Sequence, residues 1–321
     1  MMIHPDLRAL RDDDTPQRIA QEALVTRVSA WREQPHVAAM LGTVKQFARG
    51  GDLSDHPQLA RLFAAGGSAA AELAQELASV TASALADNWL GHAPFRHFTD
   101  DTISTLQLAR SDYVTLSLVA IDGAGLAKRP PAMTADFSPS EVWERVLAGT
   151  ARAVVIDRGT TLPDRADLSA SDVPLRPGSL IVRDARSRHM RLDSVDGCLV
   201  SLRLQRRLPD AGPTREYALA DGALVHQAAG TPIDSRSELM MALLGRMGRT
   251  DAAPAMAALA REPGSTALRW QALRECLSLD TATGFAALGE VARRADDELA
   301  PAAGALRSQL IESYPQLREI A

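Results

Sequence analysis

The sequence predicts an α+β chain in which a β-sandwich or barrel of short strands lies between an N-terminal helical segment and a C-terminal helical region. Three observations predict it. Apolar residues recur at helical spacing from Thr15 to about Leu90, the period falls from about 3.6 to about 2 between His97 and Ala220, and helical spacing returns after Ser235. These changes divide the 321 residues into a helical segment over 1–91, a β domain over 92–230 and a helical region over 231–321, in keeping with domains of roughly 100 to 200 residues.

In the first segment Ile19, Ala23, Leu24, Val28 and Trp31 form one apolar stripe, and Leu73, Leu77, Val80 and Ala84 form another. Thr15-Pro16 places a capping hydroxyl before a first-turn proline, and Ser54-Asp55-His56-Pro57 repeats the device. Helices are expected over 16–33, 36–48, 56–64 and 68–89. In the middle segment Val114, Leu116, Leu118 and Ala120 alternate against Thr115, Ser117 and Val119, which is a strand pattern. Further strands are expected at 102–108, 143–147, 151–157, 178–183, 189–195, 198–205 and 215–219. The polar segment Gly159 to Pro177, with Pro163 and Pro174, reads as a long loop, and Ile121-Asp122-Gly123-Ala124-Gly125 reads as a hairpin turn.

Composition narrows the function classes. Hydrophobic residues make up 46% and charged residues 23%, which permits a packed core, and the net charge of −5 lacks the positive field that nucleic acid or an anionic membrane attracts. The N-terminus shows no apolar run of export-signal type. The alanine-rich stretch AAAELAQELASVTASALA is interrupted by Glu72 and Glu76, so no membrane span is expected and a cytoplasmic protein is. Lysine occurs only at Lys45 and Lys128 beside abundant arginine and alanine, as in a GC-rich bacterial genome. Cys198 and Cys276 fall in different kinds of element, so neither a disulfide framework nor a Cys-based zinc site is suggested. The glycine-rich phosphate loop, the nucleophile elbow and the paired-histidine zinc helix are all missing.

The sharpest local pattern runs Pro177-Gly178-Ser179-Leu180-Ile181-Val182-Arg183-Asp184-Ala185-Arg186-Ser187-Arg188-His189, followed by the apolar strand CLVSLRLQR. It resembles the second conserved motif of the cupin superfamily, in which a histidine follows the glycine at this spacing. Ser179 replaces the motif's aspartate, and its Pro-Ala-Gly turn is missing. Upstream, Glu141-Val142-Trp143-Glu144-Arg145-Val146-Leu147-Ala148-Gly149-Thr150-Ala151 resembles the end of the first cupin motif. The resemblance covers about 97–207 and implies a small β-barrel that commonly pairs as a homodimer. Cupin enzymes hold a divalent metal ion with two histidines and a glutamate of the first motif and the histidine of the second. Here Phe137 and Ala135 stand where the paired histidines would, so only Glu141 and His189 remain as metal ligands, with His92, His97 and His226 as recruits. After Ser235, MAALAREPGSTALRWQALRECL (256–277) and FAALGEVARRADDELAPAAGALRSQLI (285–311) resemble HEAT-like repeats of the short bacterial type, which implies stacked helix pairs.

Candidate ligand-binding residues are Trp143, Arg203 and His189. Arg203 sits between Leu202 and Leu204 and shares a face with Ser201 and Gln205. Facing inward it suits a carboxylate or phosphate; the alternative is a solvated face on which the arginines from Arg183 to Arg207 pair with Asp184, Asp193 and Asp196. Trp143, on the side of Arg145 and Leu147, is expected to line the barrel cavity or to pack in the core. His92 and His97 beside Asp100-Asp101 are either a proton relay or packing residues. Trp270 belongs to the inner seam of its helical hairpin, with Ala267, Leu273 and Leu277. The reading is a non-catalytic protein, binding a small organic anion in the barrel or using the barrel as a scaffold, with a protein partner on the C-terminal helices and no cofactor. The alternative is a metal-dependent cupin oxygenase or isomerase with an unusual ligand set built on His189 and Glu141.

Overall fold

The computed structural model describes residues 4–162, 164–208 and 212–320, so Pro163 of the expected loop lies outside the described residues. The chain forms two compact units, Met1–Leu208 with Tyr217–Ala223, and Pro209–Glu216 with Leu224–Ala321. The N-terminal helices and the strands up to Leu208 fall in the first unit, whereas the strand Leu224–Ala228 falls in the second.

That unit opens with α1 (Pro5–Ala9), α2 (Thr15–Glu33), α3 (Pro35–Phe47), α4 (Pro57–Ala60) and α5 (Ala69–Asp87). The four expected helices are present. α2 buries Ala20, Leu24, Val28 and Trp31, so its buried stripe is centred one residue on from the expected one and Ile19 stands 61% exposed. The N-cap of α2 is Asp14, which makes no side-chain capping bond, while the Asp13 carboxylate accepts the Thr15 N–H at 2.9 Å in the turn ahead of the helix. α3 buries Val37, Met40, Val44 and Phe47, a spacing that keeps one side of the helix apolar.

The strands are β1 (Arg96–Thr99), β2 (Ile103–Ser111), β3 (Val114–Asp122), β4 (Thr134–Phe137), β5 (Ser140–Thr161), β6 (Ala166–Leu175), β7 (Leu180–Asp184), β8 (Arg188–Arg207), β9 (Thr214–Ala218) and β10 (Leu224–Ala228), with the short helix α6 (Gly123–Ala127) after β3. Seven of them form an antiparallel sheet in the order β1-β2-β3-β8-β5-β6, with β7 also on β5. Three expectations are corrected here. The strands expected at 143–147 and 151–157 are one strand, β5, as those at 189–195 and 198–205 are β8. Their pairing shifts register around Gly149, which adopts a φ of +82° and lies so close to the facing strand that a Cβ would sit 2.1 Å from the Cys198 carbonyl oxygen. The expected long loop is mostly strand, because β6 pairs with Ala151–Thr161. β6 is an edge strand, where the missing N–H of Pro174 deprives no neighbour of a hydrogen bond. The expected hairpin turn at Gly123 is α6, started by the Asp122 carboxylate, which accepts the Gly125 N–H at 2.7 Å.

The two faces of this sheet carry different cores. Leu108, Val114, Leu116, Leu202 and Leu204 pack with Trp31, Phe47, Leu59 and Leu77 of the helices. Val146, Ala151, Ala153, Leu175, Ile181 and Leu199 form the second core, on the other face. Strand alternation therefore sorts side chains sharply: Leu202 and Leu204 meet the helices, and Leu199, Ser201 and Arg203 face the interior.

The second unit contains α7 (Pro232–Arg246), α8 (Ala253–Arg261), α9 (Thr266–Leu279), α10 (Thr281–Ala292) and α11 (Ala300–Ser313). Its core gathers Met256, Leu268, Leu273, Phe285, Leu288 and Val291, and Trp270 packs at the margin of that core rather than within it. Thr231, Ser265 and Asp280 cap α7, α9 and α10. Arg269, buried on α9, donates to the Asp297 carboxylate and to the Ala260 carbonyl, tying successive helices together. No described helix is long and apolar enough to cross a membrane.

Candidate anion-binding cavity

The face of the sheet turned away from the helices lines a cavity of about 630 Å³ whose charged lining includes Arg129, Glu144, Arg183, Arg191 and Arg203. Register builds its centre. Glu144 of β5 stands directly opposite Arg203 of β8, and on the other side opposite Ile181 of β7, which brings Arg183 onto the same face two residues along.

Glu144 is 3% exposed and fully engaged. Arg203 donates to it through Nε and Nη2 at 3.0 and 3.1 Å, and the Ser201 hydroxyl donates at 2.6 Å. Burial alone would raise the Glu144 carboxyl. The charge and hydrogen bonds of Arg203, with that of Ser201, outweigh burial and hold it below its ordinary value, so it is ionised. Arg191 pairs with Asp193 at 2.9 Å and Arg129 with Asp100 at 2.9 Å. Arg183 differs. Its Nε is buried with no hydrogen-bond partner, and among the described residues no carboxylate lies within ion-pair distance of it. Burial first, then the Arg203 charge, push its guanidinium below the ordinary value, while Glu144 and Asp136 act on it only as more distant charges.

The predicted residues separate across the sheet. Arg203 and His189 both line the cavity. His189 Nδ1 lies 3.1 Å from an Asp136 carboxylate oxygen, and this hydrogen bond leads the effects that hold Asp136 below its usual range. Trp143 does not line the cavity: its ring meets Phe47 of α3 edge-on at 5.6 Å, and Arg206 stacks at 6.0 Å. Glu141 shares that outer face and is held by Arg206 at 2.6 Å. Trp143 thus takes the core-packing alternative, and Glu141 lies on the helix side, since Glu144 and Val146 are inward residues of β5. Glu141 and His189 are therefore not brought together, and among the described residues no group of three or more His, Cys, Asp or Glu side chains is placed to hold a metal ion. This donor set does not fit the ion of the cupin enzymes. Of the recruits, His97 bonds the Phe95 carbonyl at 3.1 Å, the His92 backbone donates to Gln21, and His226 belongs to β10. Asp100 serves its own turn, accepting the Thr102 and Ile103 N–H groups.

The arginine-rich stretch resolves into pairs: Arg186 with Asp184, Arg188 with Asp157, Arg191 with Asp193 and Arg206 with Glu141. Sequence reasoning chose Arg203, which has its carboxylate inside the barrel, and missed Arg183, which does not. The signal was present: in LIVRD, Arg183 shares parity with the inward Ile181.

No family model matches the chain, and no curated protein matches it. Solved structures match about a third of it, each at under 25% identity and a TM-score under 0.5. A candidate mannose-6-phosphate isomerase from Ralstonia eutropha is 18% identical with a TM-score of 0.25, covering 36% of this chain and 94% of its own. Ectoine synthase from P. lautus is 11% identical with a TM-score of 0.23, over 35% of this chain and 68% of its own. A cupin superfamily protein from Desulfitobacterium hafniense is 15% identical with a TM-score of 0.24, over 35% of this chain and 83% of its own.

Proposed function

We propose that the barrel is a binding site for a small organic anion, in a protein that acts by binding rather than by catalysis. One observation carries this reading: Arg183, half-buried with its Nε out of contact with water and without an ion-pair partner among the described residues, lines a cavity large enough for a ligand. A charge in that position is costly to the empty protein and is compensated when an anion enters. The rival metal-dependent enzyme needs a ligand set that the sheet splits, with Glu141 outside and His189 inside. The test is calorimetric titration of the full chain with a panel of small carboxylates and phosphates, beside an Arg183→Met variant. Binding by the native chain and its loss in the variant support the reading; equal binding by both, or none by the native chain, refutes it.

The C-terminal helices complete the proposal as stacked, HEAT-like pairs that face another protein. The support is α7, where Leu239, Leu243 and Met247 stand 70%, 55% and 58% exposed at a spacing that puts them on one side of the helix. A helix of complementary apolar face is the occupant such a stripe takes. Leu239→Glu with Leu243→Glu should abolish co-purification of a partner that the native chain retains; a partner held equally by both chains refutes this part.

A further inference from the structure

The chemistry of the cavity wall reaches further than its charge. We infer that the ligand is a monocarboxylate with an apolar body, held head-first by Arg183. This rests on the reading of the barrel as an anion site and adds the charge state, the shape of the head and the character of the tail.

The charge state follows from what is already matched. Arg203 is committed to Glu144, Arg191 to Asp193 and Arg129 to Asp100, and the His189 ring meets Asp136. Among the described cavity arginines Arg183 alone has no carboxylate within ion-pair distance, and a monocarboxylate head brings one. A phosphate monoester carries nearly two at neutral pH, and its second charge would face Glu144 and Asp136 without a counter-ion. The head follows from the donor. A guanidinium presents parallel N–H groups in a planar fork, and a carboxylate accepts two of them in one plane, including that of the Arg183 Nε, which has no partner in the protein.

The tail follows from the rest of the wall. Ile103, Ile121, Leu126, Met190, Leu192 and Leu199 supply apolar surface, joined by Pro130 and Pro131. Among the described lining residues Thr102 and His189 are the only neutral polar side chains. A sugar or polyol buried here would lose water from each hydroxyl and find few partners in return. An alkyl or aryl chain meets a matching surface and leaves water as it covers it.

The Glu144–Arg203–Ser201 cluster then has a defined part. It holds the Arg203 side chain against β5, so that the charge beside Arg183 is matched before the ligand arrives. Arg203 acts as a positioning residue through Glu144, and Arg183 makes the contact.

Four probes on the full chain test this by calorimetry at pH 8: hexanoate, hexyl phosphate, succinate and 1-hexanol. Hexanoate should bind at least about tenfold more tightly than each of the other three, as expected for one well-made charge-assisted contact plus a buried tail. Arg183→Met should weaken hexanoate about tenfold or more while raising the melting temperature of the ligand-free protein, a pairing that a misfolded variant cannot produce. Arg183→Lys should recover part of the affinity, since charge without the fork is kept. Tighter binding of hexyl phosphate or succinate, lost in Arg183→Met, would overturn the monocarboxylate and leave the anion site standing. Binding of 1-hexanol as tight as that of hexanoate would overturn Arg183 as the anchor. No binding by any of the three anions would overturn both readings.

Discussion

Replacing Glu144 by glutamine removes a charge while keeping the shape of the side chain, and its effect is set by what surrounds it. The native carboxylate accepts two hydrogen bonds from Arg203 and one from Ser201, and it is the carboxylate nearest to two guanidinium groups. Breaking one partner of a buried pair costs about 3–5 kcal/mol. The Arg203 side chain is 27% exposed, so water takes up part of the loss and about 3 kcal/mol is the expected size. For a unit of this length that is a fall in melting temperature of about 6–12 °C. Calorimetric melting, with urea unfolding followed by tryptophan fluorescence, measures it. Arg183→Met is then the decisive second substitution. In the native background it removes an unmatched half-buried charge and should stabilise by about 1 kcal/mol. In the Glu144→Gln background it removes one of two mutually repelling guanidinium groups and should restore more, so the two changes should be non-additive by about 0.5 kcal/mol or more. A Glu144→Gln variant that melts within about 2 °C of the native chain, or a strictly additive double variant, would refute the electrostatic account of the cavity.

Four further outcomes follow from the same structure. Because Glu144 is held below its ordinary value of 4.5, the folded state binds fewer protons than the unfolded state; its stabilisation is full above that pH and is lost as pH falls through the lower folded value, so the gap between the native chain and Glu144→Gln should close in acid urea titrations. Gly149→Ala should destabilise by more than about 2 kcal/mol in urea unfolding, because its left-handed φ disfavours any Cβ and the added carbon would collide with the Cys198 carbonyl. Trp143→Ala should cost about 2–3 kcal/mol through lost packing on Phe47 and leave hexanoate affinity unchanged in calorimetry, since its ring faces the helices. Protein purified without a metal-carrying tag should hold less than about a tenth of an equivalent of iron, manganese, nickel or zinc by elemental analysis, with no change in His189→Ala, because the donor set is split.

Much of the fold was legible because period is a local property. The change at His97 and the return after Ser235 are readable in any short window, and the four N-terminal helices follow with their boundaries nearly in place. Parity within β8 was legible too, since Leu202 and Leu204 bracket Arg203 and declare opposite faces. Legibility ended where partners decide. Val142, Glu144 and Val146 are no more apolar as a set than Trp143, Arg145 and Leu147, and only the helices packed outside β5 make Trp143 an outer residue. Arg145 is likewise buried by contacts from afar, its guanidinium donating to the Gly178 and Ala64 carbonyls. Pro174 argued against a strand because its edge position is a property of the sheet order. Arg183 looked like one arginine among many until its neighbours took their carboxylates and left it without one.

The long pairing of β5 with β8 has a kinetic consequence. Ser140 meets Arg207 and Asp157 meets Arg188, so the whole of β6 and β7 is enclosed by the contacts that join them. Such a pairing closes a large loop before any of its hydrogen bonds are gained, which raises contact order and slows folding. The helices α8 to α11 make their contacts mainly with neighbours in the chain, where closure is cheap. Refolding from denaturant should accordingly proceed in two phases of different rate, with the helical unit reaching its native signal first and the cavity forming last, when the two long strands zip past Gly149 and bring Glu144 to Arg203.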